Sequence, residues 1–251
     1  MSNGSLYTHI QNKIATIEFG HPASNSFPSE LLSRLTTSLN ELSINNEVHV
    51  IILKSEGEKA FCAGASFNEL VEVSNFEEGK QFFLGFANVI NAMRNCSKLI
   101  IGRIQGKAVG GGVGLAAACD YCFATEQASI KLSEFTIGIG PFLIEPAVKR
   151  KMGLAALIEL TLDATSWQNA YWAKEKGLYA KVFDTINELD VEVENFANKL
   201  SSYNVEALKE MKTVLWTGTD NWDILLDARA EVSGKLVLSD FTKKALQKFK
   251  K

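Results

Sequence analysis

The chain has 251 residues, 46% of them apolar and 22% charged, with a formal net charge of −3. That is the composition of a globular chain long enough to bury a large core without disulfides or a structural metal. The mildly acidic balance gives no basis for nucleic-acid binding or a basic membrane-facing surface, and no apolar run approaches the length of a membrane span.

The first residues, MSNGSLYTHIQNK, lack an apolar stretch of the kind that exports a protein, so a soluble, cytoplasmic chain is expected. Residues 6–10 and 13–19 read as two short strands around Gln11-Asn12. After a loop, a helix is predicted from Pro28-Ser29-Glu30 to about Asn45, with Leu31, Leu32, Leu35, Leu39 and Leu42 at helical spacing. Residues 48–54 form a continuous apolar strand of the kind buried on both faces. Residues 60–66 are a tight, small-residue segment, and a helix starts near Phe67. Residues 77–94 are an amphipathic helix with Phe82, Phe83 and Phe86 on its inner face, read as core. Residues 99–104 are a second buried strand.

Gly110, Gly111 and Gly112 end that strand. A helix over 113–119, a strand over 121–125, and a short one over 129–131 follow. The helix over 144–152 precedes Gly153. Beyond it the pattern turns helical: 154–162, 166–176, 187–200, 205–217 and 222–235, with all four tryptophans in this last third. The run Lys149-Arg150-Lys151 reads as a solvated face. The amphipathic tail LSDFTKKALQKFKK either covers its own body, meets a neighbouring subunit, or stays solvated. The chain divides into a core over residues 1–190 and a helical region over 191–251.

Chemistry concentrates in residues 99–134. Glycines at a strand-to-helix junction allow close backbone approach to a ligand, and the helix start offers unpaired N–H groups. The segment 60–66 has the same character, so each turn can present one amide to a single developing oxyanion. Glu134, flanked by apolar residues, should have a raised pKa suited to proton transfer. Gly114 sits on the same helix face as Gly111, at a cost of roughly 1 kcal/mol against alanine, which implies close packing or ligand space. Gly112, Gly114 and Ala117 formally match a dinucleotide fingerprint, but no second parallel strand ends at the acid. Cys119 and Cys122 form a CxxC pair with no second pair or nearby histidine, and read as small buried residues rather than a metal site.

KAFCAGASFNEL (residues 59–70), IQGKAVGGGVGLAAACDYCFAT (104–125) and LSEFTIGIGP (132–141) resemble, in order and spacing, three signatures of the enoyl-CoA hydratase/isomerase, or crotonase, superfamily. The resemblance implies an α/β fold: a crotonase-like spiral of ββα units with two roughly perpendicular sheets, plus a C-terminal helical region that makes trimers or hexamers. It implies an acyl-CoA thioester substrate, with coenzyme A entering only as part of that substrate, no permanently bound cofactor and no metal. By residue matching, Ala65 and Gly111 would donate to the oxyanion, and Glu134 would be the second catalytic glutamate of the hydratases. Ala63, Ala65, Ser66, Phe67 and Asn68 would line the coenzyme A path together with Gly111 and Gly114, and Asp120 would be structural. Gly114 stands where two-glutamate hydratases carry their first glutamate. The runs GGGVGL and SEFTIGIGPF nonetheless resemble the bacterial methylglutaconyl-CoA hydratase branch, where glycine at that place is usual. Phe142–Glu145 replaces a glycine-rich turn and makes Glu145 a candidate second acid. Hydration of a 2-enoyl-CoA, possibly a methylglutaconyl-type thioester, is therefore the first expectation. Double-bond isomerisation by Glu134 alone is the second, and acyl-CoA binding with little or no catalysis the third.

Overall fold

A computed structural model describes residues 4–248. The chain opens with a hairpin of β1 (Ser5–Gln11) and β2 (Ile14–Gly20), turning at Asn12 and Lys13, both at positive φ. Helix α1 (Ser29–Ile44) follows and buries the five leucines of its predicted inner face.

The chain then repeats one pattern three times: a long strand, a short strand, then a helical start. The first unit is β3 (Val50–Ser55), β4 (Ala60–Cys62), α2 (Phe67–Glu72) and the long α3 (Phe76–Asn95). The second is β5 (Leu99–Ile104), β6 (Lys107–Val109) and α4 (Gly111–Ala118). The third is β7 (Tyr121–Thr125), β8 (Ile130–Lys131), a 3-10 turn (Glu134–Ile137) and α5 (Glu145–Leu162). After α6 (Ala170–Glu175) and β9 (Lys181–Phe183) come α7 (Ile186–Ser201), α8 (Val205–Leu215), α9 (Trp222–Leu236) and α10 (Asp240–Gln247).

Long strands and short strands go to different sheets. The first sheet has the order β1-β2-β3-β5-β7-β9, parallel except for the hairpin; the second is β4-β6-β8, all parallel. Helices cover the parallel sheet, which is why β3 and β5 are buried in nearly every position. Because β4, β6 and β8 run side by side in one direction, the chain leaves all three at the same edge. That edge carries Ala65, Gly111 and Glu134.

The structure corrects several expectations. Residues 60–62, 107–109 and 181–183 are strands that the sequence did not announce. Three residues are too few to display an alternating pattern. Helix α6 is much shorter than residues 166–176. The run at 149–151 is not a solvated face. Lys149 is exposed, but Lys151 Nζ donates to the carbonyls of Cys119 and Asp120 at 3.0 and 2.8 Å. The Arg150 guanidinium lies 3.9 Å from the Trp216 ring centroid and donates to Leu215 O. The break predicted at Gly153 is present: α5 is two helices joined across a kink, where Gly153 leaves helical backbone at φ 83° and ψ 165°.

The predicted boundary between residues 190 and 191 falls inside α7. Its Leu189, Val193 and Ala197 pack together on Ile14, Val50, Ile52, Ile101 and Phe123 of the large sheet. The described part of the tail covers its own body, with residues 249–251 outside the described residues: Leu246 of α10 joins Leu70, Phe82, Ile139 and Val237 in one apolar cluster. Asp120, between α4 and β7, accepts from Ile100 N (2.7 Å), Lys212 Nζ (2.7 Å) and Trp216 Nε1 (2.8 Å), tying the spiral to α8.

Candidate active site

The site is built where the three repeats leave the small sheet. In the first, Phe27 N donates to Gly64 O and Ser66 N donates to Phe27 O, both at 2.8 Å. Those bonds use the groups flanking Ala65, so the amide of Ala65 itself faces the opposite side, toward the cavity that Ala65 lines. In the second repeat, the amides of Val113 and Gly114 bond to Gly110 O at 2.9 and 3.2 Å. The amide of Gly111 stands ahead of them as the first of α4, without an intrahelical acceptor. The two turns touch: a Cβ on Gly64 would lie 3.4 Å from Gly111 N.

Gly110 makes the turn possible. Its φ of 54° with ψ of −118° is a conformation that L side chains avoid. A Cβ there would also sit 2.9 Å from Glu134 Oε1 and displace that carboxylate. Gly112 is pressed on Cys62 O, and Gly111 on the Phe86 ring, at 2.3 Å for a hypothetical Cβ in each case. The glycine run thus lets α4 nest between β4, α3 and the third repeat.

The third repeat delivers Glu134 as the first residue of the 3-10 turn. The residue as a whole is half-buried, but Oε2 is buried and has no hydrogen-bond partner. Burial pushes its pKa up from 4.5 to about 7, against a smaller lowering from its own backbone amide. A carboxyl with that pKa can both take and return a proton near neutrality.

These groups line a cavity of about 420 Å³. Its other walls are mostly hydrocarbon and aromatic: Phe67 and Leu70 from α2, Phe82, Phe83 and Phe86 from α3, and Ile137, Ile139, Leu143 and Ile144 from the third repeat. Phe82 and Phe86 are buried, as the helical pattern predicts, yet they also form this wall. The role was missed because helical spacing reveals an inner face without revealing that part of it borders a space. Among the described residues of the lining, Glu134 is the one carboxylate and Lys131 the one cation. Lys131 Nζ lies 5.6 Å from the Trp167 ring centroid.

The cavity therefore brings together Ala63, Ala65, Phe67, Gly111 and Glu134, and leaves out four other candidates. Ser66 caps α2 by accepting from Glu69 N at 3.3 Å. Asn68 is exposed on that helix. Gly114 is buried under Ile144, whose Cγ2 would lie 2.2 Å from a Cβ at position 114. Glu145 faces Arg229 at 3.7 Å, so the structure does not bring a second acid to the site. The dinucleotide pattern also fails structurally, because Glu134 follows the small sheet and meets Gly110 rather than ending a strand beside β5. Cys119 and Cys122 are buried free thiols, and no group of three or more His, Cys, Asp or Glu placed to hold a metal occurs among the described residues. No described helix is long and apolar enough to cross a membrane.

Backbone amides from the two turns lining one cavity with a carboxyl whose pKa is pushed up to about 7 are the kind of groups that can stabilise a thioester enolate and move a proton on and off carbon. Comparison with known proteins gives the family. The profile for enoyl-CoA hydratase/isomerase matches residues 9–251. The chain is 28% identical to the short-chain-enoyl-CoA hydratase of Clostridium acetobutylicum, over 99% of this chain and 95% of that one. It is 30% identical to a peroxisomal Delta(3,5)-Delta(2,4)-dienoyl-CoA isomerase of Arabidopsis thaliana, over 76% of this chain and 72% of that one. The crystal structure of an enoyl-CoA hydratase from Bacillus halodurans superposes with a TM-score of 0.90 at 22% identity, covering 97% of this chain and 99% of that one, and shares the fold.

Proposed function

Because the chain belongs to the enoyl-CoA hydratase/isomerase family, we propose that it migrates the double bond of an enoyl-CoA thioester, with Glu134 as the single proton carrier. One observation carries this reading: Glu134 is the only carboxylate among the described residues lining the cavity. In the proposed reaction the thioester oxygen of a 3-enoyl-CoA lies between the amides of Ala65 and Gly111. Glu134 takes the proton from C2. The C–H electron pair moves toward the carbonyl, giving a dienolate held by the two amides. The electrons return to make the C2–C3 double bond, and Glu134 gives the same proton to C4. Nothing is gained or lost, so one acid-base group is enough.

The apolar walls support an uncharged acyl chain. They favour it over the methylglutaconyl-type substrate, whose second carboxylate would have Lys131 as the one cation of the described lining to pair with. Hydration of a 2-enoyl-CoA is the second reading, favoured by the nearly full-length match to a short-chain-enoyl-CoA hydratase. In that reaction a water's hydroxyl adds to C3 and a proton to C2, and a lone Glu134 would have to serve both. Acyl-CoA binding without chemistry ranks third. The same proposal includes self-assembly into trimers or hexamers, supported by apolar residues such as Val214 and Ile224 that α8 and α9 leave exposed. The test is turnover of matched 3-enoyl- and 2-enoyl-CoA panels. Isomerisation of the 3-enoyl series should exceed hydration of the 2-enoyl series. The reverse order would make the chain a hydratase, and tight acyl-CoA binding without turnover would make it a binding protein.

A further inference from the structure

Gly114 is an absence with a definite occupant. A Cβ at this position would lie 2.2 Å from Ile144 Cγ2 and 2.6 Å from Ile144 Cβ, so the two residues are complementary in shape. Ile144 cannot easily yield. It is 3% exposed, and its amide donates to Pro141 O at 3.2 Å while its carbonyl accepts from Val148 N at 3.0 Å. A β-branched side chain on a pinned backbone has few rotamers to escape into. Ile144 also lines the cavity that holds Glu134. Its neighbour Glu145, which carries the charge nearest in sequence, is turned to Arg229 instead.

We infer that Ile144 is the residue that determines reaction specificity in this site. Its branched hydrocarbon takes the place where the stem of a second carboxylate would enter from α4. It thereby closes the wall where such a carboxylate would hold a water against the double bond. Glu134 is left as the one carboxylate of the described lining, with no protein group bonded to its buried Oε2. The inference rests on the isomerase reading above and names what enforces it.

The experiment compares wild type, Gly114→Glu, Ile144→Gly (which removes both the Cβ and the Cγ2 that block position 114) and the double variant, each assayed for 3-enoyl-CoA isomerisation and 2-enoyl-CoA hydration. Gly114→Glu alone should fold poorly and hydrate no faster than wild type, because Ile144 blocks the new side chain. The double variant should hydrate at least tenfold faster than wild type and than either single variant, while losing isomerase selectivity. A folded double variant that hydrates no faster than Gly114→Glu would overturn the role of Ile144. Wild type that hydrates faster than it isomerises would overturn the isomerase reading instead, so the two failures are distinct. Should the double variant not fold, isomerisation in D2O by wild type and Ile144→Gly decides. Wild type should return mostly the substrate's own hydrogen to C4, and Ile144→Gly should carry at least twice as much deuterium there. Equal deuterium in both products would count against the inference.

Discussion

Asp120 and Glu134 are two acids with buried carboxyl ends, and the protein treats them in opposite ways. Asp120 is surrounded by donors: an ammonium, an indole N–H and a backbone amide, all within 2.8 Å. Its partner Lys212 is equally enclosed, with side-chain exposures of 3% and 4% for the pair. Glu134 has one oxygen with no partner at all, and burial lifts its pKa to about 7. A fully paired buried charge ties together the elements that supply its partners. An unpaired one destabilises the fold and is reactive for the same reason.

The contrast has measurable consequences. Glu134→Gln keeps the shape and removes the proton carrier, so kcat/KM on the preferred enoyl-CoA should fall by about 10²–10⁴-fold, as steady-state kinetics would show. The same variant should lose little or no stability. Asp120→Ala should do the reverse. Stranding Lys212 in the interior should cost about 3–5 kcal/mol in urea unfolding, with kcat per folded molecule little changed.

Stability should also depend on pH through Glu134. Its folded pKa lies above the usual 4.5, so the folded state holds the proton more tightly than the unfolded chain. The contribution is full below pH 4.5, falls as the pH rises toward 7 and is gone above it. Melting curves of wild type and Glu134→Gln should therefore diverge across that window in favour of the variant, and run parallel above it. A constant difference from pH 4 to 8 would mean that the carboxyl is not held away from water. The smallest effect is expected from Glu145→Gln. Its contact with Arg229 is a partly exposed pair at 3.7 Å, so stability should shift by about 1 kcal/mol or less and activity by less than about twofold. A large activity loss would restore Glu145 as a second acid.

How much of this was legible in the sequence follows from physical range. The buried long strands β3, β5 and β7 could be read from continuous apolar runs, and α1 and α3 from their helical spacing, because those signals are local. The strands β4, β6 and β9 could not, since they exist only by pairing with distant partners. Within the site, the glycine turn and the acid were visible as chemistry, and the three signature runs tied them to Ala65. That Gly114 mattered was also visible, because glycine inside a helix is costly. What occupies its space was not: Ile144 arrives from a later segment, and nothing in the run GGGVGL announces it. The aromatic wall of Phe82, Phe83 and Phe86 was hidden for a similar reason, since core and cavity lining share one pattern.

The most direct measurement is the pH profile of kcat/KM for 3-enoyl-CoA isomerisation, taken from pH 5 to 9 on wild type and Glu134→Gln. Wild type should lose about tenfold in rate per pH unit below an inflection near 7, because the base must be ionised to take the first proton. The Gln variant should show only a low, flat residual rate. A Gln variant that keeps the wild-type rate, or keeps the same inflection, would show that Glu134 is not the proton carrier.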